Sequence, residues 1–265
     1  MDTQMKGKRV LVTGSTAGIG KGIAALFAAE GADVFVNGRG EDTADAAARE
    51  LGRQYPDTRI TGVSADLGSL EGAEALYDAC TKDGPLDVLV NNVGIYAAIP
   101  FEQITDEEWY HIFNVNIMSA VRLCRRALPD MLRRDSGKII NISSESAMRP
   151  RGDMTHYSAT KSCMVGLTRA LAETTKGTRV RVNSVLPAVT WTEGVDTLVH
   201  ELAKTKDIPM EQAKKEYFVV GNDTTTLIDR FLTVEEVAMA VLMTACNDGM
   251  SGGALLIDGG VIRHI

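Results

Sequence analysis

The sequence has few cysteines and few aromatic residues. Four of its 265 residues are cysteine, and aromatic side chains make up 5%. Cys80, Cys124, Cys163 and Cys246 are far apart in the sequence, so they form no CxxC-type metal pair. Each lies in an apolar segment of helical character, where a free cysteine packs as a small hydrophobe. The four histidines are equally scattered, and we expect no metal site.

Long apolar runs and an excess of basic charge are also missing. No stretch approaches the roughly 20 unbroken apolar residues that a membrane helix needs. The first residues lack the pattern of a secretory leader. Lys and Arg total 28 against 35 Asp and Glu, a net charge of −7, which argues against nonspecific binding to nucleic acid. With 45% hydrophobic residues the chain is not disordered. We expect a cytoplasmic protein that binds neither membranes nor nucleic acids.

Short apolar runs alternate with longer segments of helical period, which predicts a parallel sheet flanked by helices. The predicted strands are 8–13, 33–37, 59–63, 86–90, 138–142, 179–186 and 254–257. The predicted helices are 18–30, 42–53, 69–80, 105–128, 155–175 and 233–245. The polar segment 190–230 interrupts the alternation. We therefore expect one domain over residues 1–265 with a long insertion at 190–230.

A glycine-rich turn joins the first predicted strand to the first helix. Gly14, Gly18 and Gly20 allow a tight turn and a close approach of a ligand to the backbone. The helix that follows offers free N–H groups and a positive dipole end, which favour a pyrophosphate. A purely structural turn is the alternative, but its place between the first strand and the first helix favours a nucleotide site.

A second group of polar residues lies further along the chain. Tyr157 and Lys161 are four residues apart on a predicted helix, so they share one face. A nearby ammonium favours the phenolate, so we expect the pKa of Tyr157 to be lowered. Ser143 and Ser144 follow the fifth strand, where α/β sheets bind ligands. Asn116 lies in an apolar helical segment, and a buried amide there needs partners.

Together these motifs resemble the short-chain dehydrogenases/reductases, in their single-domain branch. The resemblance rests on TGSTAGIG (13–20), NNVG (91–94), Ser144 and YSATK (157–161), and it covers nearly the whole chain. Asp66-Leu67, Pro187 and LLIDGG (255–260) also match the pattern. The resemblance implies a doubly wound, Rossmann-type parallel sheet of about seven strands. It also implies an NAD(P)-dependent oxidoreductase that transfers hydride reversibly between the nicotinamide and a ketone or aldehyde.

The resemblance assigns four catalytic roles. It makes Tyr157 the general acid/base, and Ser144 the donor to the substrate oxygen with Ser143 as the adjacent alternative. Lys161 would hold the nicotinamide ribose and lower the pKa of Tyr157. Asn116 would anchor a water through which Lys161 exchanges protons with solvent.

The resemblance also implies a set of cofactor-binding residues. They are Gly14, Ser15, Thr16, Gly18, Ile19, Gly20, Arg39, Asp66, Leu67, Asn92, Val93, Gly94, Tyr157, Lys161, Pro187, Val189 and Thr192. Two residues depart from the family pattern, which usually has Ala at Val93 and Gly at Ala188. They concern the pose of the cofactor and leave the chemistry intact.

The end of the second strand bears on the choice of cofactor. Members of the family that prefer NAD typically have an Asp there, whereas this chain has Gly38 followed by Arg39. A small residue leaves room for a 2′-phosphate, and a guanidinium can pair with it. The position before the second glycine, often basic in NADP-preferring members, is Ala17. We expect a preference for NADP(H), with NAD(H) possible.

The substrate is a small carbonyl or alcohol compound whose identity the sequence leaves open. A 3-oxoacyl-thioester reductase, a sugar dehydrogenase and a broad carbonyl reductase all fit. Segment 190–230 occupies the place of the family's substrate lid, and Arg149 and Arg151 are candidates to attract an acidic substrate. The family resemblance favours a homotetramer or dimer. Two other functions are a catalytically silent nucleotide sensor of the same fold and an isomerase or lyase that uses NAD(P) transiently.

Overall fold

The architecture is a parallel sheet with helices on both faces. The computed structural model describes residues 2–219 and 226–263. Within them, seven strands pair in the order β3-β2-β1-β4-β5-β6-β7, and every pairing is parallel. The strands are β1 (Arg9–Val12), β2 (Asp33–Gly38), β3 (Ile60–Ser64), β4 (Val88–Asn91), β5 (Gly137–Ile142), β6 (Val180–Pro187) and β7 (Ala254–Ile257). This confirms the predicted doubly wound sheet.

The helices follow the predicted alternation with shifts of one or two residues at most ends. They are α1 (Gly18–Ala29), α2 (Glu41–Gln54), α3 (Leu70–Thr81), α4 (Asp106–Phe113), α5 (Ser119–Arg134), α6 (Thr155–Glu173), α7 (Glu193–Lys206), α8 (Met210–Val219) and α9 (Val234–Cys246).

Alternating side chains of the strands supply two cores, one on each face of the sheet. In β1, Val10 and Val12 face a core formed with α1, α2 and α9. Leu11, between them, faces the opposite core, formed with α3 and α5. Cys80 and Cys124 lie in this second core, where burial raises the pKa of each thiol to about 12. The interpretation of these two cysteines as small hydrophobes is confirmed.

The prediction of one helix over 105–128 was wrong in two respects. A π-helical stretch, Asn114–Met118, separates α4 from α5. The second helix also continues past Pro129 and ends where Asp135 takes a left-handed conformation with φ of 48°. Pro129 lacks only one N–H, and the amphipathic face of α5, buried against the sheet, holds the helix together beyond it.

The predicted insertion contains the helices α7 and α8, which enclose a small core of their own. Val195, Val199 and Ala213 form its centre, and Trp191 and Phe231 pack against it. A parallel bridge between Thr190 and Leu232 ties the two ends of the insertion together. Residues 220–225 lie outside the described residues, so part of the expected lid is not seen.

The strand order decides where a ligand site can form. The chain runs outward from β1 to β3 and then crosses to the other side of β1 at β4. Loops after β1 and β4 therefore leave the sheet in opposite directions and open a crevice at the carboxyl ends of these strands. The glycine-rich turn follows β1 and the NNVG segment follows β4, so both line this crevice.

Candidate active site

Each glycine of the turn after β1 is required by its geometry. Gly14 and Gly18 have φ of 59° and 55°, in the left-handed region that favours glycine. A Cβ on Gly20 would lie 2.3 Å from the carbonyl oxygen of Gly14 and 2.5 Å from Asn92 Nδ2. The turn is thus built for close contact between backbone segments.

The N-terminus of α1 already holds an anionic group. The N-cap residue Ala17 has no side chain that could cap the helix. Instead, Glu193 of α7 accepts a hydrogen bond of 3.0 Å from the Gly18 N–H through Oε2. Free N–H groups and the helix dipole favour negative charge at this point. The turn therefore fits the pyrophosphate that the sequence predicts there, and Glu193 was not anticipated.

The neighbouring residues of the turn point in different directions. Ser15 is buried and donates to the Val12 carbonyl oxygen at 2.6 Å, so its side chain is part of the fold. Ile19 packs against the core below the turn. Thr16 lies against the end of β2, where a Cβ on Gly38 would be 2.5 Å from Thr16 Cγ2. Gly38 is therefore needed to let Thr16 fit.

Arg39 is exposed beside this contact at the end of β2. Its carbonyl oxygen accepts a hydrogen bond from Ser64 Oγ at 2.9 Å, which fixes the backbone. The guanidinium makes no hydrogen bond or ion pair with any described residue. It is thus available to an anion bound next to Thr16 and Gly38.

The segment after β4 is fastened to the glycine-rich turn. Asn92 Nδ2 donates to the carbonyl oxygens of Thr13 and Gly14 at 2.9 and 3.0 Å. Thr13 Oγ1 accepts from the backbone N–H groups of Asn92 and Val93. The side chain of Val93 lies directly over Gly14, since a Cβ there would be 3.0 Å from Val93 Cγ2. The extra bulk of Val93 is therefore absorbed by packing against the turn.

The remaining cofactor candidates lie along the same edge of the sheet. Asp66 is exposed after β3 and accepts from the Gly68 N–H, whereas Leu67 is 3% exposed and packs in the core. Beyond Pro187, at the end of β6, Val189 accepts a backbone hydrogen bond from Leu232. Thr192 caps α7 and lies beside Gly18. The structure thus brings the ends of β3 and β6 to the crevice.

Asn116 lies in the π-helical stretch and ties it to the segment after β4. Its Oδ1 accepts from the Ile95 N–H at 2.8 Å, and its Nδ2 donates to the Ile95 carbonyl oxygen and to Thr160 Oγ1, both at 3.0 Å. A Cβ on Gly94 would lie 3.6 Å from Asn116 Oδ1 and 3.4 Å from Lys161 Nζ. π-Helical turns are frequent at functional sites, because the extra residue re-aims a side chain.

Lys161 is 5% exposed and reaches from α6 to the end of β5. Its Nζ donates to the Ile142 carbonyl oxygen at 3.0 Å. Ser143 Oγ in turn donates to the Lys161 carbonyl oxygen at 2.8 Å. Burial lowers the pKa of Lys161 to about 8, and the nearby Glu145 opposes this shift. Because its hydroxyl is engaged with the backbone of α6, Ser143 fixes that helix in place.

Tyr157 and Ser144 face each other across the crevice. Burial raises the pKa of Tyr157, and the negative charge of Glu145 adds to this effect, whereas a hydrogen bond with Ser144 opposes it. Lys161 Nζ lies 5.5 Å from the centre of the tyrosine ring. The expectation of a lowered pKa was wrong because desolvation outweighs the ammonium, which is engaged with Ile142. Tyr157 is therefore protonated at neutral pH.

Glu145 is a functional candidate that the sequence analysis missed. It is 6% exposed and directly follows Ser144. Its carboxyl accepts hydrogen bonds from Ser144 Oγ at 2.5 Å and from Ser146 Oγ at 3.3 Å. Burial raises its pKa. The sequence feature that could have indicated Glu145 is a charged residue flanked by Ser144 and Ser146, three residues after the end of an apolar strand.

Aromatic and charged side chains line the open side of Tyr157. Tyr96 contacts the Tyr157 ring edge-on, with 6.1 Å between ring centres. Burial and the nearby Tyr96 raise the pKa of Tyr217 of α8. Arg151 lies near Tyr217 and Glu145 and forms an ion pair with Asp153 at 2.7 Å. The insertion thus reaches the crevice through Tyr217.

Comparison with known proteins gives the family of this chain. The short chain dehydrogenase family model matches residues 8–203. The chain belongs to the short-chain dehydrogenase family. An uncharacterized oxidoreductase of Bacillus subtilis, YvrD, is 44% identical over the full length of both chains. The D-beta-hydroxybutyrate dehydrogenase of Cupriavidus necator is 36% identical and covers 98% of this chain and 100% of its own.

A solved structure agrees with the sequence relatives. The L-sorbose reductase of Gluconobacter frateurii, complexed with NADPH and L-sorbose, superposes with a TM-score of 0.93 at 30% identity over all of both chains. This short-chain dehydrogenase is therefore an oxidoreductase of a family that binds nicotinamide cofactors. Among residues 2–219 and 226–263, no helix is long and apolar enough to span a bilayer, and no three His, Cys, Asp or Glu side chains form a metal-binding group.

The contact between Glu193 and α1 leads to a prediction for this short-chain dehydrogenase. Glu193→Gln removes a carboxylate from the point where a pyrophosphate would bind, so we expect the affinity for NADPH to rise by about 2- to 5-fold, in line with the modest strength of exposed helix-dipole contacts. Fluorescence titration of NADPH measures the dissociation constant. Glu201→Gln, an exposed carboxylate of the same helix, is the control and leaves it unchanged. Equal or weaker binding by Glu193→Gln contradicts the prediction.

Proposed function

We propose that the protein is an NADP(H)-preferring oxidoreductase that interconverts a ketone or aldehyde and its alcohol, with Tyr157 as general acid/base. The observation that carries this proposal is the convergence of Tyr157, Ser144 and Lys161 at the end of β5. The bound nicotinamide supplies or accepts the hydride. A silent nucleotide sensor of this fold would have no need of this arrangement.

In the direction of reduction, the chain has to protonate the substrate oxygen. Tyr157 carries the proton at neutral pH, as an ordinary tyrosine does, and burial raises its pKa further. Ser144 lies beside the Tyr157 hydroxyl, so both groups can face one substrate oxygen. Lys161 keeps a positive charge near the phenolate that remains after transfer.

Asn116 has a supporting role in this proposal. Its two amide protons are engaged with Ile95 and Thr160, and one lone pair of Oδ1 accepts from the Ile95 N–H. The second lone pair remains for a water near Lys161. Such a water would return the proton from solvent to Lys161 and then to Tyr157.

The cofactor preference rests on the end of β2. Gly38 carries no carboxylate that would pair with a ribose 2′-hydroxyl, and the exposed Arg39 guanidinium lies free beside it. A guanidinium pairs bidentately with a phosphate. The turn after β1 would hold the pyrophosphate, Asn92 after β4 would contact the adenosine side, and the segment after β6 would hold the nicotinamide.

The surroundings of Tyr157 support a small, polar substrate. Tyr96, Tyr217 and Arg151 place hydroxyl and guanidinium groups around the crevice. Because Arg151 is paired with Asp153, its charge is largely balanced, and attraction of an acidic substrate is not its main contribution. We propose a hydroxylated carbonyl compound, of the kind that the L-sorbose reductase binds, and a lid role for 190–230.

We also propose a cytoplasmic homotetramer or dimer. Tyr110 and Phe113 of α4 are 73% and 39% exposed, and Phe101 just before this helix is 63% exposed. Ile112, in contrast, is 2% exposed and serves internal packing. An apolar surface of this kind fits burial against a second copy of the chain.

Replacement of Tyr157 by Phe tests the catalytic proposal. Phe keeps the ring and removes the hydroxyl proton, so we expect kcat for reduction to fall by about 10²–10⁴-fold, the usual contribution of general acid catalysis. The measurement is the absorbance change of NADPH with a panel of small ketones, aldehydes and hydroxyketones. Tyr110→Phe, an exposed tyrosine, is the control. If Tyr157→Phe keeps a kcat close to that of the wild type, Tyr157 is not the general acid/base.

Replacement of Arg39 by Ala tests the cofactor preference. We expect kcat/KM for NADPH to fall by roughly 10- to 100-fold, because a charge-assisted hydrogen bond contributes about 1.5–3 kcal/mol. The value for NADH should hardly change. Arg53→Ala, at the end of α2, serves as the control for a lost surface charge. If the wild-type enzyme prefers NADH, the proposed preference for NADP(H) is wrong, whereas the proposed interconversion of a carbonyl compound and its alcohol still stands.

A further inference from the structure

The single proton of the Ser144 hydroxyl is engaged by a neighbouring residue. Ser144 Oγ donates to Glu145 Oε2 at 2.5 Å and accepts from the Ser146 N–H at 3.1 Å. A serine hydroxyl has one proton to donate. While the Glu145 carboxyl is ionised it can only accept, so it holds this proton and none is left for a substrate oxygen.

Protonation of Glu145 reverses the direction of this hydrogen bond. The carboxylic acid then donates its O–H to Ser144 Oγ, and the Ser144 O–H can rotate toward the substrate oxygen. Ser144 Oγ would accept two hydrogen bonds and donate one, which completes its capacity. The only covalent change is the O–H bond that the Glu145 carboxylate forms with a proton from solvent; the Ser144 O–H bond is kept and only rotates.

We propose that Glu145 is a positioning residue for Ser144, whose hydroxyl can donate to the substrate oxygen only when the Glu145 carboxyl carries a proton. The inference rests on the proposed function, because it concerns the same reduction. It adds a proton-controlled step to that reaction, through a residue that itself does not touch the substrate.

The charges around Glu145 set the conditions for this step. On α6, Tyr157 and Lys161 face it, and the pKa of each is raised by its negative charge. Arg151 approaches from the preceding loop, where its charge is shared with Asp153. Tyr96 acts on the pKa of Tyr157 and of Tyr217, so both phenols belong to the same group of titratable residues.

Two opposing effects act on the Glu145 proton itself. Burial is the largest and raises the pKa of Glu145, while the hydrogen bond from Ser144 and the charge of Arg151 lower it. The proton is therefore retained to a higher pH than on an exposed glutamate. Reduction should then be fastest on the acid side of this ionisation and slow down as pH rises.

The decisive experiment compares pH profiles of kcat/KM for ketone reduction in the wild type and Glu145→Gln, between about pH 5 and pH 9. The glutamine amide can donate to Ser144 Oγ at every pH, so the variant lacks the ionisation. We expect the ratio of wild type to variant to fall by roughly 100-fold as pH rises, the usual loss for one oxyanion donor. Removal of the Glu145 charge also lowers the pKa of Tyr157 and of Lys161, and this contribution is measured separately in a background without the Ser144 hydroxyl. Glu107→Gln, an exposed carboxylate of α4, is the control and keeps the wild-type profile.

A second variant tests whether Glu145 acts through Ser144. In a Ser144→Ala background no hydroxyl remains to be turned, so adding Glu145→Gln should act only through the pKa of Tyr157 and of Lys161, and its effect should be clearly smaller than in the wild type. An effect of Glu145→Gln that is equally large in both backgrounds would overturn the proposal. Identical pH profiles of the wild type and Glu145→Gln would also overturn the proposal. Reduction of a carbonyl compound by both proteins would then still support the proposed function.

Thermal denaturation separates this inference from the proposed function. Because the pKa of Glu145 is raised in the fold, its proton stabilises the native state below the unfolded pKa, and this stabilisation is lost as pH rises through the folded pKa. The Tm of the wild type should therefore fall relative to Glu145→Gln as pH rises. A pH-independent difference refutes protonation of Glu145, even if no carbonyl compound is turned over.

Discussion

A reciprocal pair of hydrogen bonds between α6 and the end of β5 is the constraint on which the site depends. Lys161 Nζ donates to the Ile142 carbonyl oxygen, and Ser143 Oγ donates back to the Lys161 carbonyl oxygen. Both bonds are buried, so breaking either would leave polar groups unsatisfied in the interior. Together they fix the helix that carries Tyr157 relative to the strand that leads into Ser144. The two adjacent serines therefore have different roles. Ser143 anchors the helix, and Ser144 faces the crevice.

Much of the fold follows from local patterns in the sequence. Apolar strands such as LDVLV and KIINI are buried on both faces, so they read as continuous runs, and their seven-strand order matches the crossover rules for parallel sheets. Tyr157 and Lys161 could be placed on one face because helical spacing alone determines it. The turn after β1 was also predictable from the sequence, since Gly14 and Gly18 take left-handed dihedral angles that favour glycine.

The parts that escaped prediction all depend on contacts between distant segments. The π-helical stretch is held by Asn116 through Ile95, twenty-one residues away. The hydrophobic periodicity of the sequence carries no information about such a contact. Glu193 meets Gly18 only because α7 folds back over the turn. Glu145 looks like an ordinary charged residue until the packing of α6 buries it. The raised pKa of Tyr157 has the same origin, since desolvation is a property of the assembled crevice.

The insertion joins the two halves of the crevice physically. Its first helix begins at Thr192 and Glu193, which lie on the turn after β1. Its second helix carries Tyr217, which lies near Tyr96, the residue that contacts Tyr157. The two helices share one small apolar core. An anion that binds at the Gly18 N–H competes with Glu193, which lies on the helix that packs against the one carrying Tyr217. The insertion therefore contacts both the glycine-rich turn and the surroundings of Tyr157.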